Sequence, residues 1–240
     1  MTNERWLFVS DVDDTLLGDD EALQRLAKAL GGASDYLIIA YNSSRPCASL
    51  RQSMASNPAL PTPDFLIGAM GTEIQKGESA EPLSEYTRYL DEGWNREQIA
   101  ALMDELGLAA HSPEYQTLLK ASYDVPDEAA YRQVQARLQE AGLVAKVIYS
   151  GDTNLDIIPQ EAGKGNVIRF LHRYLELPAD RVVVSGDSGN DLEMFVAPYR
   201  GIVVGNADAD LKSKQGDHIY HARATHAGGV LEGLRFWRVL

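Results

Sequence analysis

Four apolar runs in this chain, at residues 6–10, 36–41, 65–69 and 182–185, are each the length of a single strand. Three of them break directly into small polar and acidic residues. The breaks read Asp11-Val12-Asp13-Asp14-Thr15, Asn42-Ser43-Ser44-Arg45 and Gly186-Asp187-Ser188-Gly189-Asn190-Asp191. Between the runs, apolar residues recur at helical spacing: Leu23, Leu26, Ala27 and Leu30 after the first, and Val167, Ile168, Leu171 and Leu175 before the last. Short strands alternating with helices need crossover connections, and these give a mostly parallel sheet. Ligands of such sheets bind beyond the carboxyl ends of the strands. Asp11, Ser43 and Asp187 all fall there, in three different strand-to-helix loops.

The middle of the chain reads differently. Asn95 stands at a helix start, with Gln98 three residues on and Trp94 placed to pack against Ile99. From 119 to 125 the residues alternate, with Leu119, Ala121, Tyr123 and Val125 on one face and Lys120, Ser122 and Asp124 on the other. A second amphipathic helix carries Tyr131, Val134 and Leu138 and stops at Gly142. Runs at 144–149 and 154–158 suggest a hairpin across Gly151-Asp152. One-sided strands with two helices make a small open sheet. The expected fold is therefore α/β: a parallel Rossmann-like core over 1–77 and 161–240, with a smaller inserted α/β cap over 78–160. The polar face of the cap strand is expected to look across a cleft at the acidic loops.

The formal net charge of −13 argues against a nucleic-acid partner, which needs a basic surface, and against anionic membranes. No apolar run approaches the roughly 20 residues that span a bilayer. The N-terminus shows no secretory signal, and the lone Cys47 fits a reducing cytoplasm. A small anionic substrate remains compatible with this charge, because a metal and a lysine reverse the field inside a cleft.

Clustered acids, small hydroxyls and one lysine are the inventory for moving a phosphoryl group with a divalent metal. Asp11 is the expected nucleophile, and Mg2+ bound by Asp11, the Asp13 carbonyl and Asp187 would offset its repulsion from phosphate. An aspartyl-phosphate divides one hard step into two easier ones. Asp13 is placed to protonate the leaving oxygen and later to accept a proton from water. Ser43 and Ser44, with their backbone amides, and Lys164 and Asn190 are candidates for holding the phosphoryl oxygens. Asp191 would orient these ligands from behind. The competing reading from another class is a phosphate-sensing regulatory domain, which also uses clustered acids and a lysine on a parallel sheet.

With these four segments the chain resembles the haloacid dehalogenase superfamily of aspartate-nucleophile phosphatases. Asp11 to Thr15 matches its first motif, Ser43 its second, Lys164 its third and Gly186 to Asp191 its fourth. Within it, the chain is most similar to the sucrose-phosphate phosphatases, through Gly71-Thr72-Glu73-Ile74, Lys120-Ala121-Ser122-Tyr123 and His226-Ala227-Gly228. The resemblance implies hydrolysis of sucrose 6-phosphate, with mannosylfructose phosphate as the nearest alternative. It also implies an upstream sugar-phosphate synthase as partner, and Glu73, Lys120 and Ser122 as sugar contacts. One departure stands out: Ser44 replaces the usual glycine of the second motif, which costs energy wherever the backbone needs a positive φ.

Overall fold

The computed structural model describes residues 5–150 and 153–240. In chain order it contains β1 (Trp6–Ser10), α1 (Asp20–Gly31), β2 (Leu37–Asn42), α2 (Cys47–Ser56), β3 (Phe65–Gly68), β4 (Glu73–Lys76), α3 (Ser84–Asp91) and α4 (Arg96–Glu105). There follow β5 (Ala121–Asp124), α5 (Glu128–Glu140), β6 (Ala145–Ser150), β7 (Asn154–Pro159), α6 (Lys164–Tyr174), β8 (Val182–Gly186), β9 (Arg200–Val203), α7 (Ala209–Lys212), β10 (Ile219–His221) and α8 (His226–Phe236).

The larger sheet has the order β10-β9-β8-β1-β2-β3-β4, parallel except where β4 returns antiparallel on β3. Its central strands β1 and β8 are buried at every position, as expected of a parallel sheet covered on both faces. They pair in register from Leu7↔Val182 to Ser10↔Ser185, so their following loops leave the sheet side by side. The order reverses beside β1, where chain leaves in opposite directions and a crevice opens.

The smaller sheet is antiparallel, with the order β5-β7-β6. The register Tyr149↔Leu155 and Ser150↔Asn154 leads into the expected hairpin, whose turn at Gly151-Asp152 lies outside the described residues. The α4 helix starts where Asn95 accepts a hydrogen bond from the Gln98 amide, as its sequence implied. Ile99, Leu102 and Met103 of that helix join Tyr123, Val134, Leu138 and Leu155 in a separate hydrophobic cluster.

The two clusters do not divide the chain where the sequence pattern alone places the boundary. Helix α3 lies inside 78–160, yet Leu83, Tyr86 and Leu90 pack into the larger core. The Tyr86 hydroxyl donates to the Gly71 carbonyl at 2.6 Å, and its ring lies 4.7 Å from that of Phe170. Trp94 packs against both clusters. Among the described residues no helix is long and apolar enough to cross a membrane.

Candidate active site

The Asp11 amide donates to the Ser185 carbonyl at 3.0 Å, stitching the first acidic loop to the end of β8. Beneath it, Ser185 Oγ donates to Ser10 Oγ, and Ser10 Oγ donates to the Asp11 carbonyl. Lys164, the first residue of α6, is almost wholly buried. Its ammonium donates to Oδ1 of Asp11 at 2.7 Å, Oδ1 of Asn190 at 2.8 Å and Oδ1 of Asp191 at 2.7 Å. All three of its protons are thereby used. The sequence made Lys164 a phosphate holder; here it ties the first and fourth motifs together.

Asp191 has no oxygen to spare either. Its Oδ2 accepts from the backbone amides of Asp187 and Ser188. A Cβ at Gly186 would lie 2.5 Å from that oxygen, so the close approach requires glycine. Asp187 Oδ1 accepts from Thr15 Oγ1 at 2.9 Å. One carboxylate oxygen from each of Asp11, Asp187 and Asp191 lies within 4.8 Å of the others.

Three carboxylates gather around one ammonium in a largely buried cluster. Burial pushes the Asp11 carboxyl far above the usual carboxylate range, against the pull of Lys164 and with the push of Asp191. Burial also works against the Lys164 charge, but Asp11 and Asp191 outweigh it and tighten its hold on the proton. Asp187 is pushed up to about 6, chiefly by burial; the Thr15 bond opposes this and Asp191 adds to it. Hard carboxylate oxygens gathered at one point suit a small divalent cation, whose charge would favour their ionised forms. Asp11 and Asp187 are the carboxylates with oxygens left to offer one.

Ser43 is buried at the end of β2, with its Oγ accepting from the Arg45 amide. The preceding Asn42 donates its side-chain amide to the Lys164 carbonyl at 2.9 Å, joining the second and third motifs. Ser44 is not among the described residues with positive φ. Its replacement of glycine therefore carries no backbone strain. Asp13 is held by Arg45 through two parallel bonds, Nε to Oδ2 at 2.8 Å and Nη2 to Oδ1 at 2.9 Å. Cys47 is fully buried, and burial, with Glu73 adding, pushes its thiol up, so it is no activated nucleophile.

Above this cluster lies a cavity of about 580 Å³ between the two sheets. Ser44, Arg45 and Asn190 line it from the larger sheet, and Lys120, Asp124, Asn154 and Asp156 from the smaller. Lys120 and Asp124 of the polar strand face share this cavity with Ser44 and Arg45 of the second motif and Asn190 of the fourth. Lys120 and Ser122 are both tied to Asp156, which accepts from Lys120 Nζ at 3.0 Å and Ser122 Oγ at 2.6 Å. Asp124 reaches His111 Nε2 at 3.0 Å. Glu73 is elsewhere: its carboxylate accepts from the Cys47 amide at the start of α2, where a negative charge suits the helix dipole, and it lines a separate, smaller cavity. Glu73, expected as a sugar contact, is thus not among the residues that line the cavity beside Lys120. Asp156, His111 and Asn154 escaped the sequence reading. The available signal was register, since Ser122↔Asp156 and Asp124↔Asn154 are cross-strand partners.

The family model of sucrose-6F-phosphate phosphohydrolase matches residues 4–238. The chain belongs to that family. It is 36% identical over 239 residues to a mannosylfructose-phosphate phosphatase of Agrobacterium fabrum, covering 96% of each chain. It is 32% identical over 250 residues to sucrose-phosphatase 1 of Nicotiana tabacum, where it spans only 58% of the longer relative. The structure of the sucrose-phosphatase from Synechocystis sp. PCC6803 in complex with sucrose and phosphate matches 98% of both chains, with a TM-score of 0.87 at 31% identity. A haloacid dehalogenase-like hydrolase from Bacillus subtilis matches with a TM-score of 0.75 at 18% identity, which shows a shared fold. The phosphohydrolase family thus accounts for both sheets and their order.

Proposed function

We propose that the protein is a phosphoric monoester hydrolase that releases sucrose from sucrose 6-phosphate. The observation that carries this reading is the meeting of Asp11, Lys164, Asp187 and Asp191 under a cavity lined by the smaller sheet. The free oxygen of Asp11 attacks phosphorus as the ester bond to the sugar breaks, and Asp13, entering this step as the neutral acid, gives its proton to the departing oxygen. Water then attacks the phosphorus, Asp13 takes the proton back, and the bond to Asp11 breaks to release phosphate. Ser43, Ser44 and Asn190 hold the phosphoryl oxygens, and Lys164 offsets the charge that gathers beside Asp11. Mg2+ held by Asp11, Asp187 and the Asp13 carbonyl would supply the remaining charge shielding. Lys120 and Asp156, with Ser122 bonded behind them, present the sugar-facing surface of a cap taken as 78–160. A cytoplasmic setting and an upstream sugar-phosphate synthase belong to the same reading.

The similarity to the Agrobacterium relative, matched over nearly its whole length, favours mannosylfructose phosphate as the second reading. Values of kcat/KM for the two disaccharide phosphates and for simple hexose phosphates, each with and without magnesium, decide between them. A preference for sucrose 6-phosphate supports the first reading. Flat, low values across the panel reject both. Single phosphorylation without turnover would favour a phosphate-sensing domain.

A further inference from the structure

Arg45 spends four of its five guanidinium N–H groups on one arrangement. Nε and Nη2 take the two oxygens of Asp13, while Nη1 donates to Ser53 Oγ at 2.9 Å and Ser49 Oγ at 3.3 Å. Ser49 and Ser53 are one turn apart on the same face of α2, so they grip the fork from behind. The Arg45 backbone is fixed as well, its amide on Ser43 Oγ and its carbonyl receiving the Ala69 amide at 2.8 Å. The Asp13 side chain is about half exposed and has no other partner among the hydrogen bonds described. A carboxylate so placed samples several rotamers unless something holds it, and a planar bidentate fork fixes both direction and plane.

We propose that Arg45 is a positioning residue for Asp13: it aims the carboxyl into the cleft and gives up one of its two bonds when the leaving oxygen of the substrate comes within reach. The ester oxygen carries no proton, so its hydrogen bond to Asp13 uses the proton of the neutral acid; the Asp13 oxygen that bears this proton releases its Arg45 arm. The other arm keeps the group aligned. Arg45 itself lines the cavity, so the exchange takes place where the ester arrives. The inference rests on the phosphatase reading above, in which Asp13 protonates the departing oxygen.

The test compares two substrates across wild type, Arg45→Met, Arg45→Lys and Ser53→Ala. Sucrose 6-phosphate has a poor leaving group that needs a proton; 4-nitrophenyl phosphate has a good one that needs none. kcat/KM reports the steps up to departure of that group. Arg45→Met should lower kcat/KM for the sugar phosphate about 100-fold, at the lower end of what an aligned general acid contributes, and leave the aryl phosphate nearly unchanged. Arg45→Lys should recover part of the loss, and Ser53→Ala should show the same selectivity on a smaller scale. Equal losses on both substrates would assign Arg45 to phosphate binding or folding and overturn the proposal, as would no loss on either. A wild type that turns over neither substrate would sink the phosphatase reading itself, a result distinct from parallel losses in an active enzyme.

Discussion

Nζ of Lys164 lies 2.7 Å from Oδ1 of Asp11, and its other two protons are given to Asn190 and Asp191. Replacing Lys164 by Met leaves Asp11 and Asp191 buried with no counter-charge. Turnover should vanish, and stability at neutral pH should fall by about 3–5 kcal/mol, the cost of breaking a buried pair from one side. The deficit should shrink toward acid pH, where the Asp11 carboxyl, raised by burial, is protonated. Denaturant titrations at neutral pH and near pH 4 check this; an equal deficit at both would mean that charge is not the cause.

Asp11→Asn should abolish phosphate release while leaving the fold intact, because the amide is isosteric and relieves like-charge crowding with Asp191 and Asp187. Mass spectrometry during turnover should find a phosphoryl group on the wild type and none on the variant. Residual activity near the wild-type level would move the nucleophile elsewhere.

Magnesium binding should depend on pH through Asp187. Its carboxyl is raised from 3.8 to about 6 in the metal-free fold, mainly by burial. A raised acid in the folded state favours the metal-free fold at low pH, and that contribution is lost as pH climbs through about 6. The cation wants the ionised form, so proton and metal compete. The rise in Tm on adding magnesium should be largest above about pH 7 and nearly absent below about pH 5. Melting curves with magnesium and with a chelator measure it directly, and a rise independent of pH would discount Asp187 as a ligand.

Asp156 is the counter-charge for Lys120, whose side chain is only 5% exposed. Asp156→Ala should cost about 3 kcal/mol for that reason. It should also lower kcat/KM for disaccharide phosphates while sparing an aryl phosphate that makes no sugar contacts. Parallel losses on both substrates would mean a purely structural role.

Asp11, Ser43 and Asp187 are legible in the sequence because each sits where a strand pattern stops, and a parallel sheet gathers such points along one edge. Lys164 marks the start of a helix with a clear apolar stripe. The Arg45–Asp13 and Lys146–Glu193 pairs are not legible: they join residues 32 and 47 positions apart, and no local periodicity encodes such meetings. Glu73 reads as a loop carboxylate until α2 is seen to start beside it. Strands β4 and β10 hold four and three residues, too few for a period to appear. Helix α3 carries only Tyr86 and Leu90 as buried positions, and its allegiance to the larger core follows from the Phe170 ring on α6.

Trp94 touches both hydrophobic clusters, and its indole Nε1 donates to the Leu118 carbonyl. The other two tryptophans, Trp6 and Trp237, sit together far along the larger core, with the Arg200 guanidinium over both rings. Two of the three tryptophans thus share one fixed environment, while the third straddles the joint. Any rocking of one half on the other must alter the light that Trp94 emits, which gives this molecule a built-in goniometer readable without a label.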